Sequence, residues 1–137
     1  MAEKTLVLDV VTPEQTMVSE EVDIVMAPGY FGEFGALRNH IPFLAQLQPG
    51  EVKYRKGGQL EVMVVGGGYA EVLPTKVTVL ATSAERAQDI DLERALAAKE
   101  RAEKRLKERE EELDFLRAEA ALQRAIARIR VAEKAKL

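Results

Sequence analysis

Ala84-Glu85-Arg86-Ala87-Gln88-Asp89-Ile90-Asp91-Leu92-Glu93-Arg94-Ala95-Leu96-Ala97-Ala98 is the stretch on which the reading of this chain turns. Before it, apolar residues alternate with a period of two; after it, they recur every three or four residues, the spacing of one helix face. All nine glycines lie at or before Gly68 and all five prolines at or before Pro74, so the residues that break helices end where the helical period begins. A composition boundary near residue 85 therefore separates two architectures.

Working back toward the N-terminus, the alternating runs are Leu6, Leu8 and Val10; Val22, Ile24 and Met26; Leu60, Val62 and Val64; and Val77, Val79 and Ala81. Such runs predict half-buried strands. Turn chemistry separates them at Thr12-Pro13, Pro28-Gly29, Pro49-Gly50, Lys56-Gly57-Gly58, Gly66-Gly67-Gly68 and Pro74-Thr75. Turns about one strand apart, with no helix-period segment between them, argue for an antiparallel sandwich and against a parallel βαβ sheet.

Working forward, Asp89 or Asp91 is placed to cap a first turn of helix. Ala95, Ala98, Ala102 and Leu106 then share one face, and everything else from Lys99 to Glu112 is charged. Glu100 with Lys104 and Glu103 with Lys107 stand at i,i+4 in the favourable order, each pair contributing about 0.2–0.5 kcal/mol. A second narrow stripe runs Phe115, Ala118, Leu122, Ala125, Ile129 and Ala132. Two narrow stripes rich in alanine predict two helices packed closely on each other, turning near Glu110 to Asp114. That turn holds neither glycine nor proline, so the same residues would also be content inside one long helix, and a ligand or partner can tip the hairpin toward an extended arm. The fold class is thus α+β: an N-terminal antiparallel β-sandwich over residues 1–85 followed by a C-terminal two-helix antiparallel hairpin over residues 88–137.

Composition narrows the chemistry. The 137 residues suffice for one domain plus an appendage. With 47% apolar, 31% charged, 5% aromatic residues and no tryptophan, the core must be mainly aliphatic. The formal charge of −3 gives no general attraction to nucleic acid or anionic lipid. Without cysteine there is no disulfide, thiolate metal site or cysteine nucleophile. Neither a signal-peptide core nor an apolar run of the ~20 residues that span a bilayer is present, so the chain reads as intracellular and water-soluble. His40 is the only histidine, in the Pro-flanked run Leu37-Arg38-Asn39-His40-Ile41-Pro42, with neither nucleophile nor orienting partner indicated. It reads as structural or interfacial. Gly66-Gly67-Gly68 is followed by Tyr69-Ala70 and not by Lys-Ser or Lys-Thr, and Gly29, Gly32 and Gly35 do not make G-x-G-x-x-G, so both stretches read as turns.

The arginines of the helical arm form two rows. Arg94 and Arg101 are seven apart on the first helix, and Arg124 and Arg128 four apart on the second. If the helices fold together the rows can converge on an anion, for which the planar guanidinium fork is suited. On pattern alone a solvated charged face is the plainer reading.

Val10-Val11-Thr12-Pro13, Gly32-Glu33-Phe34-Gly35-Ala36-Leu37 running into His40-Ile41-Pro42, Gly66-Gly67-Gly68-Tyr69-Ala70-Glu71-Val72, Ala84-Glu85-Arg86-Ala87 and Asp89-Ile90-Asp91 occur in an order that resembles a bacterial epsilon subunit of the F-type, proton-translocating ATP synthase. The resemblance implies a non-catalytic subunit whose sandwich holds the gamma subunit and the c-ring. It implies a helical arm that permits ATP hydrolysis when folded down and, when extended toward the α and β subunits, blocks it. It further implies a place at the cytoplasmic face of the bacterial plasma membrane, with membrane association only through the complex, and no catalytic cofactor; a metal site is not expected from the residues themselves, which offer no cysteine, one histidine and no EF-hand spacing. Some members bind ATP as a regulatory ligand through I/L-D-x-x-R-A, which reads here Ile90-Asp91-Leu92-Glu93-Arg94-Ala95. With it the resemblance brings Glu85, Arg101, Arg124 and Arg128 as supporting ATP contacts, which reverses the plainer reading of the arginines. A stand-alone adaptor whose hairpin binds a helical partner shares the fold and the stripes, and recovery of gamma and c-ring proteins would separate the two. A small hydrolase lacks a visible nucleophile and base.

Overall fold

The computed structural model describes residues 4–108 and 112–135, with side chains described for all of these but 112–114 and 135. The strands are β1 (Leu6–Val11), β2 (Thr16–Val22), β3 (Ile24–Gly29), β4 (Gly32–Ala36), β5 (Phe43–Leu47), β6 (Gly50–Lys56), β7 (Gln59–Val65), β8 (Gly68–Leu73), β9 (Lys76–Ala81) and β10 (Ala84–Arg86). They follow one path, β10-β7-β6-β3-β5-β8-β9-β1-β2, with β4 paired to β3 beside it. At the middle of the path β3 meets β5 through a single pair, Gly29 with Leu47, which is the corner where one layer passes into the other. At its ends Arg86 of β10 donates to the carbonyl of Met17 on β2 at 3.2 Å, so the two layers nearly close into a barrel.

The layers enclose an aliphatic core, as the composition requires: Leu6, Leu8 and Val10 of β1, Val18 and Val22 of β2, Val52 of β6, Met63 and Val65 of β7, and Val77 and Val79 of β9 are among its members. Tyr54 is the largest side chain buried there. Burial pushes its phenol up from the ordinary tyrosine value, partly offset by the neighbouring Arg86.

Three readings shift. Val22, Ile24 and Met26 do not form one run: β2 ends at Val22, and in β3 the residues that join the core are Val25 and Ala27. The expected turn at Pro28-Gly29 lies two residues later, at Tyr30 and Phe31, because Gly29 still pairs with Gly32. One pair, β1 with β9, is parallel, since the chain returns beside its first strand after a long excursion. The remaining pairs are antiparallel, and Thr12 closes its turn twice, donating from Oγ1 to the Gln15 carbonyl at 3.1 Å and accepting from its N–H at 3.3 Å.

After β10 a 3₁₀ turn, Ala87–Asp89, leads into α1 (Leu92–Glu108), and α2 (Glu112–Ala135) follows. Of the expected turn near Glu110 to Asp114, residues 110 and 111 lie outside the described residues. The two stripes face each other: Ala95 and Ala102 of α1 and Ala118, Ala125 and Ala132 of α2 are buried. Ala127 and Val131, toward the end of α2, pack beside Ala87 and Ile90, which precede α1, so the helices run antiparallel. Of the two expected ion pairs on α1, Glu103 instead pairs backward with Lys99 at 3.8 Å.

Candidate functional site

β7 decides where the arm lies. Its inward face carries Met63 and Val65, so the alternation Leu60, Val62, Val64 read from the sequence belongs to the other face. That face is not solvent: Val64 and Val62 pack with Ala127 and Val131 of α2 and with Ala87 and Ile90. Glu85 is paired in register with Val64 across the β10–β7 ladder and therefore shares the face turned toward the arm. Its carboxylate meets the Arg128 guanidinium at 2.5 Å, with both side chains about two-thirds buried. Nearer the C-terminal end of α2, Lys134 reaches Glu51 of β6 at 3.5 Å.

The expected ATP residues divide into three groups. Glu85, Arg128 and Ile90 are brought together at the dock just described. Asp91 caps α1: its Oδ1 accepts the Arg94 backbone N–H at 3.1 Å, and its carbonyl accepts the Ala95 N–H at 3.0 Å. Of the two candidate aspartates, Asp91 is thus the cap, and Ala95 is buried one turn behind it. Arg94 and Arg101 stand exposed on α1, their guanidinium groups without an ion pair or hydrogen bond among the described residues. Arg124 takes a third position. One turn before Arg128, it lines a cleft of about 560 Å³ between the start of α2 and the sandwich, with Tyr30, Gln48, Gly66, Gly67 and Thr82 among its walls.

The Gly66-Gly67-Gly68 stretch is more than a turn. Gly66 donates to the Ser83 carbonyl and the Thr82 N–H to the Gly67 carbonyl, each at 3.0 Å, which ties the end of β7 to the segment leading into β10. Gly68 has φ +141°, and a Cβ there would run into the Leu80 carbonyl, so no other residue fits. Sequence reasoning missed the cleft, the Glu51–Lys134 pair and the neighbourhood of Thr82 and Ser83. Glu51 and Lys134 are 83 positions apart, and no local pattern announces such a meeting.

His40 sits in the loop after β4 with Nδ1 2.6 Å from the Ile41 carbonyl and its ring 6.2 Å from that of Phe43, a loop-fixing role. Among the described residues no three His, Asp or Glu side chains cluster as metal ligands would. No described helix is long and apolar enough to cross a membrane.

A β-sandwich domain followed by a helical domain is also what comparison with known proteins returns. Residues 5–87 match the model of the ATP synthase delta/epsilon chain β-sandwich domain, and residues 88–133 that of its long α-helix domain. The chain belongs to the ATP synthase delta/epsilon family. It is 61% identical over 108 residues to the ATP synthase epsilon chain of Desulfosudis oleivorans, covering 78% of this chain and 80% of the relative. To the epsilon chain of Syntrophobacter fumaroxidans it is 59% identical over 108 residues, covering 79% and 80%. A chain of the Euglena gracilis mitochondrial ATP synthase shares the fold with TM-score 0.79 at 24% identity, covering 96% of this chain and 81% of that one. An epsilon chain is a non-catalytic subunit of the ATP synthase, and family membership removes the ground for a stand-alone adaptor.

Proposed function

We propose that the chain is the epsilon subunit of a bacterial ATP synthase central stalk, with the sandwich held to the gamma subunit and c-ring and the arm acting as an ATP-sensitive brake on hydrolysis. The Euglena gracilis mitochondrial ATP synthase whose chain shares this fold is an assembly of OSCP, F1 and c-ring. A surface suited to a rotor partner exists on the layer away from the arm: Leu44 of β5, Tyr69 of β8 and Leu80 of β9 lie on three neighbouring strands and are 70%, 54% and 55% exposed. Apolar residues grouped in that way mark an interaction face. The subunit would lie at the cytoplasmic face of the plasma membrane, attached through the complex alone.

The observation that carries the brake is the smallness of the dock between arm and sandwich. Val62, Val64, Ala87, Ile90, Ala127 and Val131 form it, and two partly exposed ion pairs flank it. Full burial of one Val or Ile is worth about 1.5–3 kcal/mol and an exposed ion pair about 0–1. With several of these groups only partly buried, the dock is worth a few kcal/mol. A ligand specific for the docked form, present at a hundred times its Kd, adds about 2.7 kcal/mol. The two quantities are of one size, so ATP at millimolar levels can decide whether the arm is down. Arg94, Arg101, Arg124 and Arg128 would meet its phosphates, Glu85 would orient Arg128, and the Ile90-Asp91 segment would border the base.

Calorimetric titration of the purified chain with ATP and ADP tests this reading, with X-ray scattering to follow compaction. Saturable ATP binding that compacts the chain and is lost in Arg94→Ala is the expected result. No binding at millimolar ATP would end the sensing half while leaving the stalk role, which recovery of gamma and c-ring proteins with the chain tests separately.

A further inference from the structure

We infer that Thr82, Ser83 and Arg124 form a phosphate subsite on the sandwich side of the dock, so that the nucleotide bridges the two domains and does more than join the two helices. The inference rests on the ATP-sensing reading and extends it to two residues that the arm does not contain.

The convergence is written in Gly66. A Cβ at that position would fall on the Ser83 hydroxyl, lie 3.0 Å from the Thr82 hydroxyl and 3.4 Å from Cδ of Arg124. Two hydroxyls from the β9–β10 connection and one arginine from α2 therefore crowd the same Cα, an approach that only glycine permits. The frame beneath them is fixed by the two 3.0 Å backbone bonds that tie Gly66 and Gly67 to Ser83 and Thr82. Two of the three polar groups are unengaged and the third is held only by a long hydrogen bond. Among the described residues the Ser83 hydroxyl has no partner and the Arg124 guanidinium no carboxylate, while Thr82 gives its proton to the Gly67 carbonyl over a long 3.4 Å. Arg128, one turn along, is matched by Glu85. Of these two arginines of α2 the one left for an anion is Arg124, and with Thr82 it lines a cleft of nucleotide size, about 560 Å³, at the junction of the two domains. Glu119 lines the same cleft and opposes an anion there.

Hydroxyl and guanidinium donors together suit a phosphate oxygen better than a carboxylate's single plane, because they approach from two directions. Since the hydroxyls belong to the sandwich and Arg124 to the arm, the subsite is complete only when the arm is down. That difference in affinity is what a ligand needs to shift the equilibrium.

The test titrates the full chain with ATP alongside Ser83→Ala, Thr82→Val/Ser83→Ala, Arg124→Gln, Glu119→Gln and Arg94→Ala, each checked for an unchanged melting temperature without nucleotide. Ser83→Ala removes no side-chain hydrogen bond among the described residues and so keeps the test clear of folding. The expected result is ATP binding about tenfold weaker in the double hydroxyl variant and in Arg124→Gln, as loss of a hydrogen bond to a charged group gives. Their effects combine less than additively, and binding tightens in Glu119→Gln. Unchanged affinity in Ser83→Ala and the double variant, with binding lost in Arg94→Ala, would overturn the subsite and leave ATP sensing standing. No binding by the unmodified chain would overturn both.

Discussion

Asp91 shows how one side chain can be read at two levels. Within Ile90-Asp91-Leu92-Glu93-Arg94-Ala95 the aspartate and the arginine are three apart, which is the distance from a helix cap to the third residue it serves, and the 3.1 Å bond between them realises that geometry. The cap also sets Arg94 in the first helical turn, with its guanidinium unpaired among the described residues. Asp91→Ala is expected to destabilise the arm by about 1 kcal/mol and to weaken ATP binding, whereas Asp91→Asn keeps a cap and restores the helix. If Asp91→Asn also restores ATP affinity in a titration, the residue's contribution to binding is positional; if only helicity by circular dichroism returns, the carboxylate meets the ligand. On the opposite layer, Lys76 stands 2.9 Å from Oδ2 of Asp9 and, with Ser19, holds that carboxyl below the ordinary aspartate value. A depressed folded-state value means the unfolded chain takes up the proton first on acidification. The pair's contribution is then present above about pH 4, the unfolded value, and is lost as pH falls through the lower folded one. Asp9→Asn should therefore melt lower than the unmodified chain at pH 7, and the difference should shrink below pH 4 in paired thermal scans.

At the level of the element, α2 is a helix with two jobs on two faces. Ala118, Ala125 and Ala132 turn toward α1, while Ala127 and Val131 turn toward β7 and the 3₁₀ turn. The stripe facing α1 was legible in the sequence because it keeps helical period over its whole length. The face toward the sandwich was not, because it is short, made of an alanine and a valine, and has meaning only against Val62 and Val64. Those valines stand in a run that the sequence predicts only as a half-buried strand. A strand with apolar residues on both faces gives the same alternation whichever face is taken, and Glu61, Met63 and Val65 supplied the competing phase. The two faces can be separated by substitution. Ala125→Leu overpacks the helix pair and should cost about 1–3 kcal/mol of arm stability. Val131→Asp should leave the hairpin helical but release it from the sandwich, seen as faster amide exchange at Ala87 and Val64 and a larger radius in scattering. Raising salt should push the same equilibrium toward release, because the Glu85–Arg128 and Glu51–Lys134 pairs that flank the dock are partly exposed.

Over the whole molecule the two layers of the sandwich differ in what covers them. One carries the arm, and the other carries Leu44, Tyr69 and Leu80 in the open. Tyr69→Glu with Leu80→Glu should cut recovery of the gamma subunit in affinity purification at least tenfold while leaving the melting temperature and ATP affinity of the isolated chain unchanged. Loss of both association and folding would instead make that row part of the domain's own stability. The sequence by itself determined the order of architectures, the boundary near residue 85, the aliphatic core and the facing alanine stripes of the hairpin. Each of these follows from period and composition, which act between residues close along the chain. The tertiary structure alone decided that the alternation of Leu60, Val62 and Val64 belongs to the arm's dock, that Glu51 meets Lys134, and that Gly66 lies under the Ser83 and Thr82 hydroxyls and Arg124. Those meetings join residues tens of positions apart, and burial and charge select them only after the layers have packed.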